Sequence, residues 1–376
     1  MSDWYCPFPF KHVFVDSSGL SPCCNTTNNF GLDISIEQYK SDPKLLNLQQ
    51  QFLNGEKPKE CGFCVMQENM QAKSMRLDGI SDYNHEIFDS SQIDFVHFSQ
   101  SNICNFKCRS CSPQYSHGIA QEVATHSELT GMYTQKTKFM MTNQNNHQWI
   151  IDNIHNLKRL LITGGEPTVM PEVRKIFNHI RNNPAPKLNI MMTTNCSWED
   201  DFWYQLIDSM PNLHITASID AVGKTAEIVR HGTIWTQVKH NVQWLAKHSW
   251  SLDVNTVISC LNINHLYELL KFCKELQLAS MSVNGGRQGN LGLRHQFSVA
   301  SGRIGIDNFP DSMKFKILDH LTQCLTLELD IEQHRMVEGL IFIVKNSKFD
   351  SKKWDKLVQY HLTLDTIRNE NHLTLF

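Results

Sequence analysis

Three cysteines, Cys104, Cys108 and Cys111, lie in the run Cys-Asn-Phe-Lys-Cys-Arg-Ser-Cys, and no fourth follows closely in the chain. Three thiolates on one short loop can hold three irons of a cubic [4Fe–4S] cluster, whereas a structural cluster takes four. The remaining iron is then open to another ligand. A structural zinc prefers four protein ligands, and a disulfide would leave an odd thiol. Further on, Thr163-Gly164-Gly165-Glu166-Pro167 ends an apolar run. Its glycines permit unusual backbone angles and close approach of a ligand to the main chain. Glu166 adds an acceptor, and Pro167 stiffens the exit.

The elements that must position these groups are legible from residue 90 onward. Ile93 to Ser99 alternates as a strand does, so the cysteine loop leaves the carboxyl end of a strand, where open α/β folds place their chemistry. Strands are expected at 159–163, 188–194, 214–219, 252–259 and 280–284. Helices are expected between them at 148–157, 171–183, 199–210, 236–248 and 266–276. Six strands alternating with helices argue for an α/β fold of parallel βα units joined by right-handed crossovers, too few for a closed eight-stranded barrel. The tail predicts three helices, at 311–325, 331–345 and 352–368. Asp365 and Arg368 in the last of them read as a surface ion pair one turn apart.

Composition narrows the setting. The chain has 376 residues, 41% hydrophobic, with a formal net charge of −3. A sizeable core is available, and the lack of a basic stripe argues against an extended nucleic-acid partner. The start, Met1-Ser2-Asp3-Trp4-Tyr5-Cys6, lacks the pattern of a signal peptide, and no apolar run is long enough to span a bilayer. A cytoplasmic protein is expected, whose cysteines are reduced and, where clustered, bind metal. Five of the twelve cysteines fall in residues 1–75, where Pro, Asn and Gly are frequent and periodicity is weak. One or two short helices are expected between Ile36 and Leu53. So small a segment has little core of its own, and metal ligation would stabilise it. Cys196, Cys260, Cys273 and Cys324 lack ligand spacing, and the last two read as packing residues.

The C-x3-C-x2-C loop followed by Gly-Gly-Glu-Pro resembles the radical S-adenosylmethionine (SAM) superfamily over residues 90–290. The resemblance implies a partial (βα)6 radical SAM barrel. It also implies a [4Fe–4S] cluster on Cys104, Cys108 and Cys111 whose open iron chelates SAM. The reduced cluster would cleave SAM to a 5′-deoxyadenosyl radical that abstracts hydrogen from a substrate. By the same resemblance Phe106 packs near adenine, while Gly164, Gly165 and Glu166 receive the methionine amino group, a donor suited to carbonyls and a carboxylate. Thr194, Asn195, Ser218, Asp220, Arg230 and Asn262 are further SAM contacts. Against that, Asn195 and Asn262 could be turn residues, Asp220 a helix cap and Arg230 an exposed helix charge.

The amino-terminal cysteines resemble the auxiliary-cluster modules called twitch and SPASM, here placed before the barrel instead of after it. That implies a second [4Fe–4S] cluster on Cys6, Cys23, Cys61 and Cys64, with Cys24 spare or replacing Cys23. Four thiolates with a C-x2-C knuckle also suit zinc. The implied layout is a Cys-rich module over residues 1–85, the barrel over 90–290 and a helical extension over 291–376. The implied function is a radical SAM enzyme acting on a peptide or protein, served by an electron donor such as ferredoxin or flavodoxin. Two alternatives stand: a nucleoside, nucleotide or sugar substrate, and a zinc- or cluster-stabilised binding protein that does not cleave SAM.

Overall fold

The computed structural model describes residues 4–27, 34–71, 73–133, 146–283 and 294–375. Its strands are β1 (His12–Asp16), β2 (Gly19–Ser21), β3 (Phe95–Ser99), β4 (Lys107–Cys108), β5 (Arg159–Ile162), β6 (Asn189–Thr194), β7 (Leu213–Ser218), β8 (Arg230–His231), β9 (Ser251–Ile258) and β10 (Arg294–Val299). Most of them pair in parallel, while β4 and β8 make an antiparallel ribbon. The fold is α/β, as expected.

The chain divides into two compact units, residues 1–103 with 137–192 and residues 104–136 with 193–376. In the first, β1 pairs parallel with β3, β3 with β5 and β5 with β6, and β2 folds back antiparallel on β1. The helix Pro171–Asn182 buries Val173, Ile176, Phe177 and Ile180, the three- and four-residue spacing of one apolar stripe. In the second unit β7, β9 and β10 are parallel neighbours. Along β7 Leu213, Ile215 and Ala217 are buried, while His214, Thr216 and Ser218 are half-buried. Alternation of this kind sets one face into the core and leaves the other partly open.

Two expectations are corrected. The sequence suggested no strand before residue 93, yet β1 and β2 lie there. Every residue of β1 is buried, and a strand covered on both faces shows no period-two pattern. The strand expected at 280–284 is absent from the described residues, because the helix beginning at Leu266 continues to Val283. The last strand is β10, and Asn284 lies outside the described residues.

Candidate active site

The cluster loop belongs to the second unit, where local bonds shape it before any metal is considered. Cys108 sits in β4 directly opposite Arg230 in β8. The Cys111 amide donates to the Cys108 carbonyl at 3.0 Å, closing a turn. Phe106 N–H donates to Cys104 Sγ at 3.4 Å, and Cys104 N–H donates to His117 Nδ1 at 3.2 Å. Gly232 lies against this loop with φ +102°, and a Cβ there would stand 2.9 Å from the Asn105 carbonyl. Only glycine fits that approach, a requirement the sequence reading missed. Burial pushes the Cys108 thiol up, and burial with the neighbouring Cys108 pushes Cys111 up to about 12. Iron ligation at these positions must displace the thiol proton, and that loss opposes the effect of burial.

Around the loop the expected contacts fall into a connected set. Phe106 is buried, and its carbonyl accepts from Ser116 Oγ at 2.8 Å. Asn195 Nδ2 donates to Asn105 Oδ1 at 2.9 Å, and its Oδ1 accepts from Ser197, whereas Thr194 Oγ1 accepts from Cys196 N–H at 3.1 Å. Asn195 is thus tied to the cluster loop. Asp220 is not a helix cap: its carboxylate accepts from Val257 N–H at 2.8 Å and from Arg230 Nη1 at 3.0 Å. Arg230 is no exposed charge, with side-chain exposure of 15%. Asn262 is buried and donates to the Asp220 and Val257 carbonyls at 2.7 and 2.8 Å while its Oδ1 accepts from Ser259 N–H. It acts as a strut beneath Asp220. Ser218 ends β7, half-buried and opposite Asn255.

Gly164, Gly165 and Glu166 belong to the first unit. Gly164 adopts φ +109°, and a Cβ on Gly165 would stand 2.1 Å from the Ile103 carbonyl oxygen. Gly165 N–H donates to Ser101 O at 3.0 Å and Glu166 N–H to Ile103 O at 2.8 Å. The glycines therefore let two strand ends meet, and Ile103 is the residue before Cys104. The Glu166 carboxylate is buried and accepts from Thr168 N–H and Oγ1 at 3.0 and 2.7 Å. His97, which sequence reasoning did not single out, bonds Thr163 Oγ1 through Nε2 at 2.7 Å.

In the same unit Cys6, Cys23, Cys61 and Cys64 line one cavity with Phe8, Phe52, Met75 and Arg76. Burial and then the nearby thiols push Cys6 well up, and Cys23 and Cys61 rise to about 12. Cys24 is exposed, with its Sγ 3.7 Å from Met75 Sδ. Among the described residues no three His, Cys, Asp or Glu side chains gather as a single ion requires. The four thiols share this one cavity lining. Arg76 shapes the wall, bonding Glu68 Oε1 at 2.9 Å and lying 3.9 Å from the Trp4 ring centroid.

Residues 98–273 match the family model described as the radical SAM superfamily. The chain carries a radical SAM domain. Such a domain is an enzyme domain whose cofactors are a [4Fe–4S] cluster and SAM. The chain is similar to GTP 3′,8-cyclase of Campylobacter fetus, 27% identical over 185 residues, 49% of this chain and 52% of that protein. It is also similar to GTP 3′,8-cyclase of Nautilia profundicola, 22% identical over 185 residues, 49% of this chain and 53% of that protein. The chain thus spans about half the length of these curated relatives. Among solved structures, Streptococcus suis SuiB bound to S-adenosylmethionine aligns with a TM-score of 0.38 at 13% identity, over 77% of this chain and 60% of that one. No helix among the described residues is long and apolar enough to cross a membrane.

Proposed function

We propose that this chain is a radical SAM enzyme that abstracts a hydrogen atom from a nucleoside or nucleotide. The observation that carries it is the cluster loop, with three thiols on a turn braced by β8 and Gly232. When bound, the cluster and SAM supply the 5′-deoxyadenosyl radical. The residues here would hold and orient: Cys104, Cys108 and Cys111 would ligate iron, and the Gly164–Gly165 backbone with Glu166 would receive the SAM amino group. Ser218, Asp220 and Arg230 would meet the ribose and carboxylate, Phe106, Thr194 and Asn195 would border the adenosyl group, and Asn262 keeps Asp220 in place. The names of the curated relatives support the nucleotide substrate.

A second [4Fe–4S] cluster on Cys6, Cys23, Cys61 and Cys64 is part of this proposal, supported by the cavity those thiols line. A second reading, a peptide substrate, rests on the resemblance of the cysteine pattern around that cavity to twitch modules. The proposed functional division is residues 1–85, 90–290 and 291–376, which differs from the two compact units, with ferredoxin or flavodoxin as donor in a reducing compartment. The test is anaerobic reconstitution with iron and sulfide, then incubation with SAM, dithionite and deuterated substrates. Deuterium from a labelled nucleotide should enter 5′-deoxyadenosine. Label arriving only from peptides would replace the substrate assignment, and no 5′-deoxyadenosine under any condition would defeat the enzyme reading.

A further inference from the structure

Cys108 is flanked by two cations, Lys107 and Arg109, and both lead to the carboxy-terminal helix Ser351–Arg368. The Arg109 side chain is fully buried. Its Nη2 donates to Asp365 Oδ1 and, at 2.7 Å, to Glu370 Oε2, its Nη1 to the His361 carbonyl at 3.2 Å and its Nε to the Ile228 carbonyl at 3.2 Å. Tyr360 Oη donates to the Arg109 carbonyl at 3.1 Å. Asn369 turns through the left-handed region (φ 52°), and this brings Glu370 back so that its amide donates to the Asp365 carbonyl at 3.0 Å. On the other flank Lys107 Nζ donates to Glu122 Oε1 at 2.6 Å, and Arg368 Nη2 donates to Glu122 Oε2 at 2.7 Å. The surface ion pair expected for Asp365 and Arg368 is therefore not what forms: each reaches a different partner.

A third contact lies at Cys111. Arg303 Nη2 donates to the Cys111 carbonyl at 2.6 Å, and its guanidinium lies 4.5 Å from the Tyr133 ring centroid and 5.3 Å from that of Tyr360. Among the described residues no acid pairs with Arg303, and its Nε is buried without a hydrogen-bond partner. A guanidinium so placed retains its charge, and a partly desolvated charge needs a counter-charge nearby. Three thiolates gathered around iron would provide one.

We propose that this carboxy-terminal segment is a clasp on the cluster loop: Asp365 and Glu370 fix Arg109 and with it Cys108, while Arg303 fixes Cys111 and stabilises the reduced, more negative cluster. These are positioning residues, and the assignment rests on the reading of Cys104, Cys108 and Cys111 as ligands. It goes beyond that reading in making residues about 250 positions away responsible for the loop's geometry and potential.

The experiment compares wild type, Glu370→Gln, Asp365→Asn, Arg303→Lys and Arg303→Met. It measures hydrogen exchange of residues 104–116 in the iron-free protein, loss of reconstituted iron to a chelator, and the midpoint potential of the cluster whose paramagnetic signal changes on adding SAM. Glu370→Gln and Asp365→Asn should accelerate loop exchange and iron loss at least several-fold. Arg303→Met should make the potential more negative, with Arg303→Lys restoring part of the change. Wild-type exchange and chelation in the two acid variants, or a wild-type potential in Arg303→Met, would overturn the clasp. Should Asp365→Asn fail to fold, the milder Glu370→Gln and the Arg303 pair still decide. A wild-type protein with no SAM-sensitive signal would instead defeat the ligand reading itself.

Discussion

At Gly165 the space for a side chain is already taken, since a Cβ would stand 2.1 Å from the Ile103 carbonyl oxygen. Gly165→Ala must therefore push the two strand ends apart, with a strain of about 1–3 kcal/mol. SAM affinity should fall by about tenfold or more, as ~1.4 kcal/mol corresponds to tenfold. Equilibrium binding to the reconstituted protein checks this, and unchanged affinity would show that the glycine turn does not meet the cofactor. Asn262 offers a companion test. Removing its amide in Asn262→Ala leaves the Asp220 and Val257 carbonyls without their donor, a cost of about 1–3 kcal/mol. Denaturant unfolding should register that loss. Because Asp220 keeps Arg230 as a partner, SAM binding should weaken less in Asn262→Ala than in Asp220→Ala.

Among the elements, β1 carries the clearest prediction. His12 is wholly buried, with Nδ1 2.7 Å from the Pro22 carbonyl, and burial lowers its pKa to about 4. An unfolded histidine titrates near 6.5. Between about pH 6.5 and 4 the unfolded chain therefore binds a proton that the folded chain does not. Stability is fully present above 6.5 and falls as the pH drops, by roughly 2 kcal/mol from this group between pH 6.5 and 5. In His12→Gln the amide can still donate to Pro22, and the difference between denaturant midpoints at pH 7 and pH 5 should shrink. His295, whose pKa burial lowers to about 3, should leave a residual acid sensitivity. An unchanged pH dependence would place the acid-labile group elsewhere.

The same strand shows where legibility ended. Elements covered on one face, such as β5 and β7, alternate and were readable. β1 is covered on both faces and holds His12 and Asp16 next to apolar residues, so it looked unpatterned. β10 failed for the opposite reason. Its run Arg-His-Gln-Phe-Ser-Val is mostly polar and gave no apolar signal. The cluster loop and glycine turn were visible because their chemistry fixes residue type. Gly232, His97 and Arg303 were invisible, since each depends on contacts far along the chain.

For the molecule as a whole, metal content is the decisive quantity. Two cubic clusters predict about eight irons per chain. The pair Cys61→Ala with Cys64→Ala should retain about four and keep the SAM-sensitive paramagnetic signal. Replacing Cys104, Cys108 and Cys111 with alanine should abolish that signal while sparing the other iron. Zinc recovered in place of half the iron would replace the second cluster by a structural ion.

Arg109 and Asp365 are 256 positions apart in a chain that is built in one direction. At about 5–20 residues per second, the ribosome needs roughly ten seconds to a minute to go from one to the other. For all that time the nascent loop has its local bonds and, later, β8, but not the carboxy-terminal partners of Arg109. Iron delivered before Asp365 and Glu370 have emerged would meet a loop without its carboxy-terminal clasp. The timing of delivery, as much as its supply, then governs how much active protein a cell makes.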